Sequence, residues 1–84
     1  MGIDSIGEFA VSFNLSDEFV DEAGNPASLI LISKALEQAF NFSFGDIYKT
    51  KVRIFNRKPY NLTKALDYLK NLIIRKSKKK DEKR

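Results

Sequence analysis

The clearest local signal in the chain is the stretch NFSFGDI, residues 41–47. With Ser43 as N-cap, Asp46 stands at the third helical position, as in a capping box. The same N-cap places Phe42 and Ile47 at the two positions of a hydrophobic staple. The stretch therefore predicts a helix that begins just after Ser43. It also predicts a connection of only about three residues from the preceding helix, which is short enough for a helix-turn-helix.

The second helix is predicted just before this stretch, from about residue 27 to residue 41. Its apolar residues recur at helical spacing and form a wide stripe. The stripe consists of Leu29, Ile32, Ala35, Leu36, Ala39 and Phe40. Two N-caps fit, either Asn25 followed by Pro26 or Ser28, and the sequence does not choose between them.

The third helix is predicted after the stretch, from about residue 44 to residue 57, with an apolar and a polar arc. The apolar arc contains Phe44, Ile47, Tyr48, Val52, Ile54 and Phe55. The polar arc contains Lys49, Thr50, Arg53, Asn56 and Arg57. Lys51 falls in the apolar arc and is expected to keep only its ammonium group in water.

Two further helices are predicted on either side of this pair. Ser5 and Glu8 have the spacing of a capping box, and Ile6, Phe9, Ala10 and Phe13 follow at helical spacing. Apolar residues also stand at every second position over 9–15, so a β-strand is an alternative for this segment. Pro59 ends the third helix, and a fourth begins near Asn61 or Thr63. Its apolar seam is Leu62, Ala65, Leu66, Leu69, Leu72 and Ile73, and the apolar pattern stops at Arg75.

The segment 16–26 reads as a connection, because Gly24-Asn25-Pro26 is a turn signal. Phe19-Val20 is expected to reach back to the core. The segment carries the acids Asp17, Glu18, Asp21 and Glu22. Their spacing is not that of an EF-hand, so we predict a solvated acidic loop and no metal site.

Composition narrows the range of functions. The chain has 84 residues, 43% of them apolar, and neither Cys nor His. It is predicted to be an all-α domain of four helices over 1–76 with a basic, disordered tail over 77–84. Without Cys and His the usual nucleophiles, bases and metal ligands are missing, so we expect no catalytic residue, no metal, no cofactor and no enzymatic activity. The longest apolar run, 29–32, is too short to span a membrane, and the first residues lack signal-peptide features, which predicts a cytoplasmic protein.

Charge is distributed unevenly along the chain. Residues 1–46 carry eight acids and one base, Lys34, whereas residues 47–84 carry fourteen bases and three acids. The balance is −7 for the first part and +11 for the second. Such asymmetry predicts an anionic partner for the second part, with nucleic acid as the first candidate. The alternative is a basic end that only keeps the domain in solution.

A helix-turn-helix formed by the second and third helices predicts that the third enters the major groove of duplex DNA. Lys49, Arg53 and Arg57 recur every four residues and form a basic stripe about 12 Å long. Arg53, Asn56 and Arg57 are predicted to contact base edges. Lys49 and Thr50 are predicted to contact phosphates. Four lysines after the apolar seam of the fourth helix are also predicted to contact phosphates, and such contacts do not depend on the DNA sequence. These four are Lys76, Lys78, Lys79 and Lys80.

The alternative function is a small protein-interaction or dimerisation module without sequence-specific DNA binding. In that case the acidic first half and the basic second half bind other proteins or a second copy of the chain. Four apolar residues off the main stripes would form the contact surface: Val11, Ile30, Leu31 and Ile74.

Four short motifs carry a family resemblance: ALEQAFN at 35–41, GDIYKT at 45–50, RK at 57–58 and NLTKALDYL at 61–69. Together they resemble the C-terminal region of RteC-type proteins, regulators that control excision of bacterial conjugative transposons. The resemblance implies a helical DNA-binding domain with Lys49, Thr50, Arg53, Arg57 and Lys58 at or near the DNA-facing surface. Pro59-Tyr60 and the Lys-rich end depart from the pattern. The chain is also much shorter than a full regulator, so either a part of a larger regulator or a small relative is expected.

Overall fold

The computed structural model describes the backbone of residues 2–82 and, except for 79–82, their side chains. The described part contains four α-helices: α1 (Ile3–Ser16), α2 (Leu29–Phe40), α3 (Ile47–Phe55) and α4 (Lys64–Glu82). A 3-10 turn, Pro59–Asn61, stands between α3 and α4. The prediction of an all-α fold is confirmed, and residues 9–15 are helical rather than extended.

Helix α1 is the centre of the packing, because it contacts each of the other three helices. Its buried residues include Ala10 and Val11, so Val11 belongs to the core and not to a contact surface. Gly7 lies against α3 so closely that a Cβ at this position would stand 2.5 Å from the methyl carbon of Thr50. The rest of the core cluster consists of Ala27, Leu29, Ile32, Phe44, Ile47 and Ile54.

The connection between α2 and α3 is longer than predicted. Helix α2 ends at Phe40 and α3 begins at Ile47, so six residues separate them. The N-cap of α3 is Asp46, whose carboxylate accepts the N–H of Tyr48 at 2.9 Å. The prediction of Ser43 as N-cap is wrong, because its hydroxyl accepts the N–H of Gly45 instead. For α2 the structure selects Ser28, which accepts the N–H of Leu31.

The same connection is fixed by an ion-to-backbone contact and by ring packing. The backbone N–H of Phe44 donates to the carboxylate of Glu37 on α2 at 2.7 Å. The rings of Phe42 and Phe44 meet edge to face with centroids 4.7 Å apart. Gly45 has a φ of 73°, a left-handed conformation that favours glycine. These residues form a structured loop where the sequence predicts the first turn of a helix.

The buried side of helix α3 differs from the predicted apolar arc. Its buried residues are Ile47, Thr50 and Ile54. Three members of the predicted apolar arc, Tyr48, Val52 and Phe55, are instead half exposed. Helical spacing at i, i+4 and i+7 makes these three a second, exposed apolar stripe. The core prediction is therefore wrong for these three residues, and Thr50 takes their place in the interior.

Helix α4 packs against the domain only at its beginning. Ala65 is buried and Leu62, Leu66 and Leu69 are half-buried, whereas every side chain from Lys70 to Lys78 is exposed. The predicted seam is therefore wrong for Leu72 and Ile73. The helix continues to Glu82 and so includes part of the predicted tail, 77–84, of which residues 83 and 84 lie outside the described part. No helix in residues 2–82 combines the length and apolarity needed to cross a membrane.

Candidate nucleic-acid interface

Arg57, predicted to contact bases, points into the domain. Its guanidinium forms an ion pair with Glu8 and donates to the backbone carbonyl of Leu62 at 3.4 Å. Only 13% of the Arg57 side chain is exposed. Helix α3 ends at Phe55, so Arg57 no longer follows the helical stripe of Lys49 and Arg53. The prediction of Arg57 as a DNA contact on an exposed helix face is corrected.

The partner of Arg57 is a buried carboxylate with a structural role of its own. Glu8 is 2% exposed and accepts hydrogen bonds from the backbone N–H groups of Ala65 and Leu66, each at 3.0 Å. These are the second and third residues of α4, whose N–H groups have no partner within the helix. A negative charge at this end is also favoured by the helix dipole. Glu8 therefore caps α4 from another helix, and the prediction of a capping box at the start of α1 is wrong.

Thr50, predicted to contact a phosphate, has no exposed surface. Its hydroxyl accepts a hydrogen bond from the guanidinium of Arg53 at 3.1 Å. Its methyl group occupies the space left by Gly7. A side chain enclosed in this way cannot reach a ligand at the surface, so the prediction of Thr50 as a contact is corrected.

Arg53 is at the surface, but its charge is already paired. Its Nη2 donates to Asp4 Oδ1 at 2.8 Å and its Nε donates to Oδ2 at 3.1 Å, a two-pronged contact with α1. The hydrogen bond from Arg53 holds the pKa of Asp4 below its usual value, and the same contact raises the pKa of Arg53. About half of the Arg53 side chain, 53%, remains exposed. A phosphate could reach this guanidinium by competing with Asp4.

The other predicted contacts on α3 and after it are exposed. Lys49, Arg53 and Asn56 lie at i, i+4 and i+7 and share one face of α3 and its C-cap. Lys58 is exposed in the next connection, just before the 3-10 turn. The face that the sequence predicts for ligand contact therefore exists without Thr50 and Arg57.

The predicted phosphate contacts near the end of the chain lie on α4. Lys76 and Lys78 are exposed on the part of the helix that extends beyond the packed domain. Lys79 and Lys80 belong to the same helix, with side chains outside the described part. Successive helical residues rise 1.5 Å, so these lysines follow one another along a single rod.

The described second half of the chain has a net positive surface. Between residues 47 and 78 stand ten basic side chains and one acid, Asp67. Arg53 and Arg57 pair with carboxylates of α1, and these are the two ion pairs within the described residues. Eight basic side chains therefore keep their charge toward solvent, which attracts anions.

Comparison with known proteins identifies no relative of this chain. No protein-family model matches the chain, and no curated protein or solved structure is significantly similar to it.

Proposed function

We propose that the protein binds duplex DNA as a regulator of transcription or of transposon excision. The carrying observation is the surplus of eight unpaired basic side chains between residues 47 and 78, against a single acid. Phosphate neutralisation by Lys and Arg supplies most of the affinity of non-specific DNA binding. The resemblance to the C-terminal region of RteC-type regulators predicts the same partner.

In this proposal α2 and α3 act as a helix-turn-helix with an unusually long connection, and α3 is the helix that approaches the major groove. Asn56 and Arg53 are the proposed base contacts, since Asn suits adenine and Arg suits guanine. Lys49 and Lys58 contact phosphates beside them. Because two of the predicted contacts are turned inward, we expect phosphate contacts to outweigh base contacts and sequence preference to be modest.

The test is a titration of labelled duplex DNA at several salt concentrations. Each phosphate that the protein neutralises should add about −0.9 to the slope of log K against log salt. Lys49→Ala with Lys58→Ala should reduce the size of that slope by about 2 and weaken all sequences alike. Lys34→Ala, an exposed lysine on α2 in the acidic half, is the matched control and should change neither quantity.

The contributions of α3 and α4 are separated by two further variants. A chain that ends after Arg75 lacks the basic end of α4 and should lose affinity for every sequence equally. Asn56→Ala should cost about 1 to 3 kcal/mol on a preferred site and little elsewhere. Absence of binding at about 50 mM salt contradicts the proposal. If the shortened chain loses all binding while Lys49, Asn56 and Lys58 can be replaced freely, α3 does not contact DNA.

A further inference from the structure

An apolar groove opens between α1, the acidic loop and α2. It has a volume of about 430 Å³. Phe13 and Phe19, whose ring centroids are 4.5 Å apart, form one wall, and Val20 extends it. Leu31 and Ala35 line the α2 side at helical spacing, and Leu31, Phe19 and Val20 are each at least two-fifths exposed. Small residues along α2 leave a furrow into which the side chains of another helix can fit.

The loop that forms one wall of this groove is acidic. Four acids stand in the loop that forms its wall: Asp17, Glu18, Asp21 and Glu22. Among the side chains that the structure describes, residues 2–78, none of the four forms an ion pair. The groove thus combines an apolar floor with an acidic loop along one side.

The outer part of α4 has the complementary character. Leu72 and Ile73 extend the apolar seam beyond the packed domain, and 73% of Ile73 is exposed. Arg75, Lys76 and Lys78 follow within about two helical turns. This segment is an apolar helix face that continues directly into a basic one.

Within one chain these two surfaces do not meet. Helix α4 is continuous from Lys64 to Glu82, and its side chains from Lys70 to Lys78 are exposed. The residues that line the groove belong to α1, to α2 and to the loop between them, so α4 does not contribute to it within the described part of the chain. The pairing of an apolar and acidic groove with an apolar and basic helix can therefore be completed by a second chain.

We propose that two copies of the chain form a symmetric dimer in which the outer part of α4 of each copy occupies the groove of the other. Leu72 and Ile73 pack against Leu31, Phe19 and Val20, and the basic residues after Arg75 lie along the acidic loop. Such an exchange is self-complementary, as a two-fold interface requires. The dimer is measured without DNA, and the Lys49 and Lys58 test of DNA binding uses residues outside this interface, so failure of the dimer and failure of DNA binding are separate results.

Disulfide trapping tests the geometry directly, because the native chain has no Cys. Leu31→Cys and Ile73→Cys are made in separate chains of different mass, mixed and oxidised. A disulfide forms only where two Cα atoms approach within about 7 Å. We expect the mixed 31–73 product to exceed the mixed product of the control pair Val52→Cys and Ile73→Cys. Equal yields for the two pairs overturn the proposal.

Sedimentation equilibrium measures the same interface without a crosslink. Leu31→Asp and Ile73→Asp each place a charge on an exposed position of one surface and should weaken dimerisation on the order of tenfold or more. A mixture of the two variants keeps one intact junction, so it should associate more strongly than either variant alone. Val52→Asp, on the exposed stripe of α3, is the matched control and should leave the dimer unchanged.

Salt and concentration complete the test. Rising salt should weaken the dimer, because the charged rim of the interface is screened. A chain that sediments as a monomer at every concentration overturns the proposal. So does a dimer that Val52→Asp abolishes while Leu31→Asp and Ile73→Asp leave it intact, since it would use the stripe of α3 instead.

Discussion

Glu8 and Arg57 form an ion pair that joins α1 to the segment between α3 and α4. The same carboxylate accepts the N–H groups of Ala65 and Leu66 at the beginning of α4. One side chain therefore connects three parts of the chain. Because Glu8 is almost fully buried, water cannot replace any partner that is removed.

Glu8→Ala should be strongly destabilising, by about 3 to 5 kcal/mol, because it removes the cap of α4 and leaves Arg57 without its counter-ion. Arg57→Ala should cost less, since Glu8 keeps its two backbone donors on α4. Urea unfolding of the variants measures both losses. Glu18→Ala, in the exposed loop, is the control and should stay within about 0.5 kcal/mol of the parent chain. Equal stability of Glu8→Ala and Glu18→Ala contradicts the capping role.

Gly7→Ala should destabilise the fold, although alanine is the better helix former by about 1 kcal/mol. The added methyl group would meet the buried methyl group of Thr50 at 2.5 Å, and overpacking of this kind costs about 1 to 3 kcal/mol. Thermal unfolding should therefore show a lower Tm. Thr50→Ser removes the obstructing methyl group and keeps the hydroxyl, so Gly7→Ala combined with Thr50→Ser should be more stable than the sum of the single changes predicts. If the stability changes of the two substitutions simply add, the methyl group of Thr50 is not the group that the added methyl group of Gly7→Ala meets.

The ion pair of Asp4 and Arg53 predicts a pH-dependent contribution to stability. Arg53 lowers the pKa of Asp4 in the folded chain, so this contribution is present above the ordinary pKa of aspartate, about 3.9. It is lost as the pH falls through the lowered value. Asp4→Asn should therefore be slightly less stable than the parent chain at pH 7, with a smaller loss than Glu8→Ala because both partners are solvent-exposed. The difference should shrink in acid, and a difference that persists after Asp4 is protonated contradicts this origin.

Asp4→Asn should also strengthen DNA binding, because Asp4 competes with the DNA for Arg53. Release of the guanidinium for a guanine edge should raise the affinity mainly for a preferred site. Arg53→Gln in the same chain should cancel that gain. An affinity that Asp4→Asn leaves unchanged would show that Arg53 does not contact DNA.

The number and type of the helices could be predicted from the sequence, because apolar periodicity and Pro59 are local signals. The N-cap of α3 could not be predicted correctly, because both Ser43 and Asp46 are good caps and only the packing of Phe44 in the core favours Asp46. The extended α4 could not be predicted by periodicity either, because Leu72 and Ile73 continue the apolar pattern where the domain no longer covers it.

The inward residues of the candidate site depend on contacts between distant parts of the chain. Thr50 can be buried because Gly7 on α1 has no side chain. Arg57 turns inward because Glu8, 49 residues earlier, is buried beside it. Neither relationship follows from spacing along the chain. The apolar stripe predicted for α1 leaves Glu8 on the opposite side of the helix, so the periodicity gives no signal of its burial.

The position of α1 at the start of the chain also affects the order in which the contacts of the fold can form. Helix α1 precedes every helix that it packs against, and the bond from Ala65 to Glu8 spans 57 residues. Contacts so far apart must first overcome the entropy of closing a long loop, which slows folding. On the ribosome, Glu8 is synthesised well before Arg57 and α4, so it remains hydrated until both have emerged. The side of α1 that carries Glu8 must therefore wait for α4, and a nascent chain that stops before this helix leaves that side open to solvent.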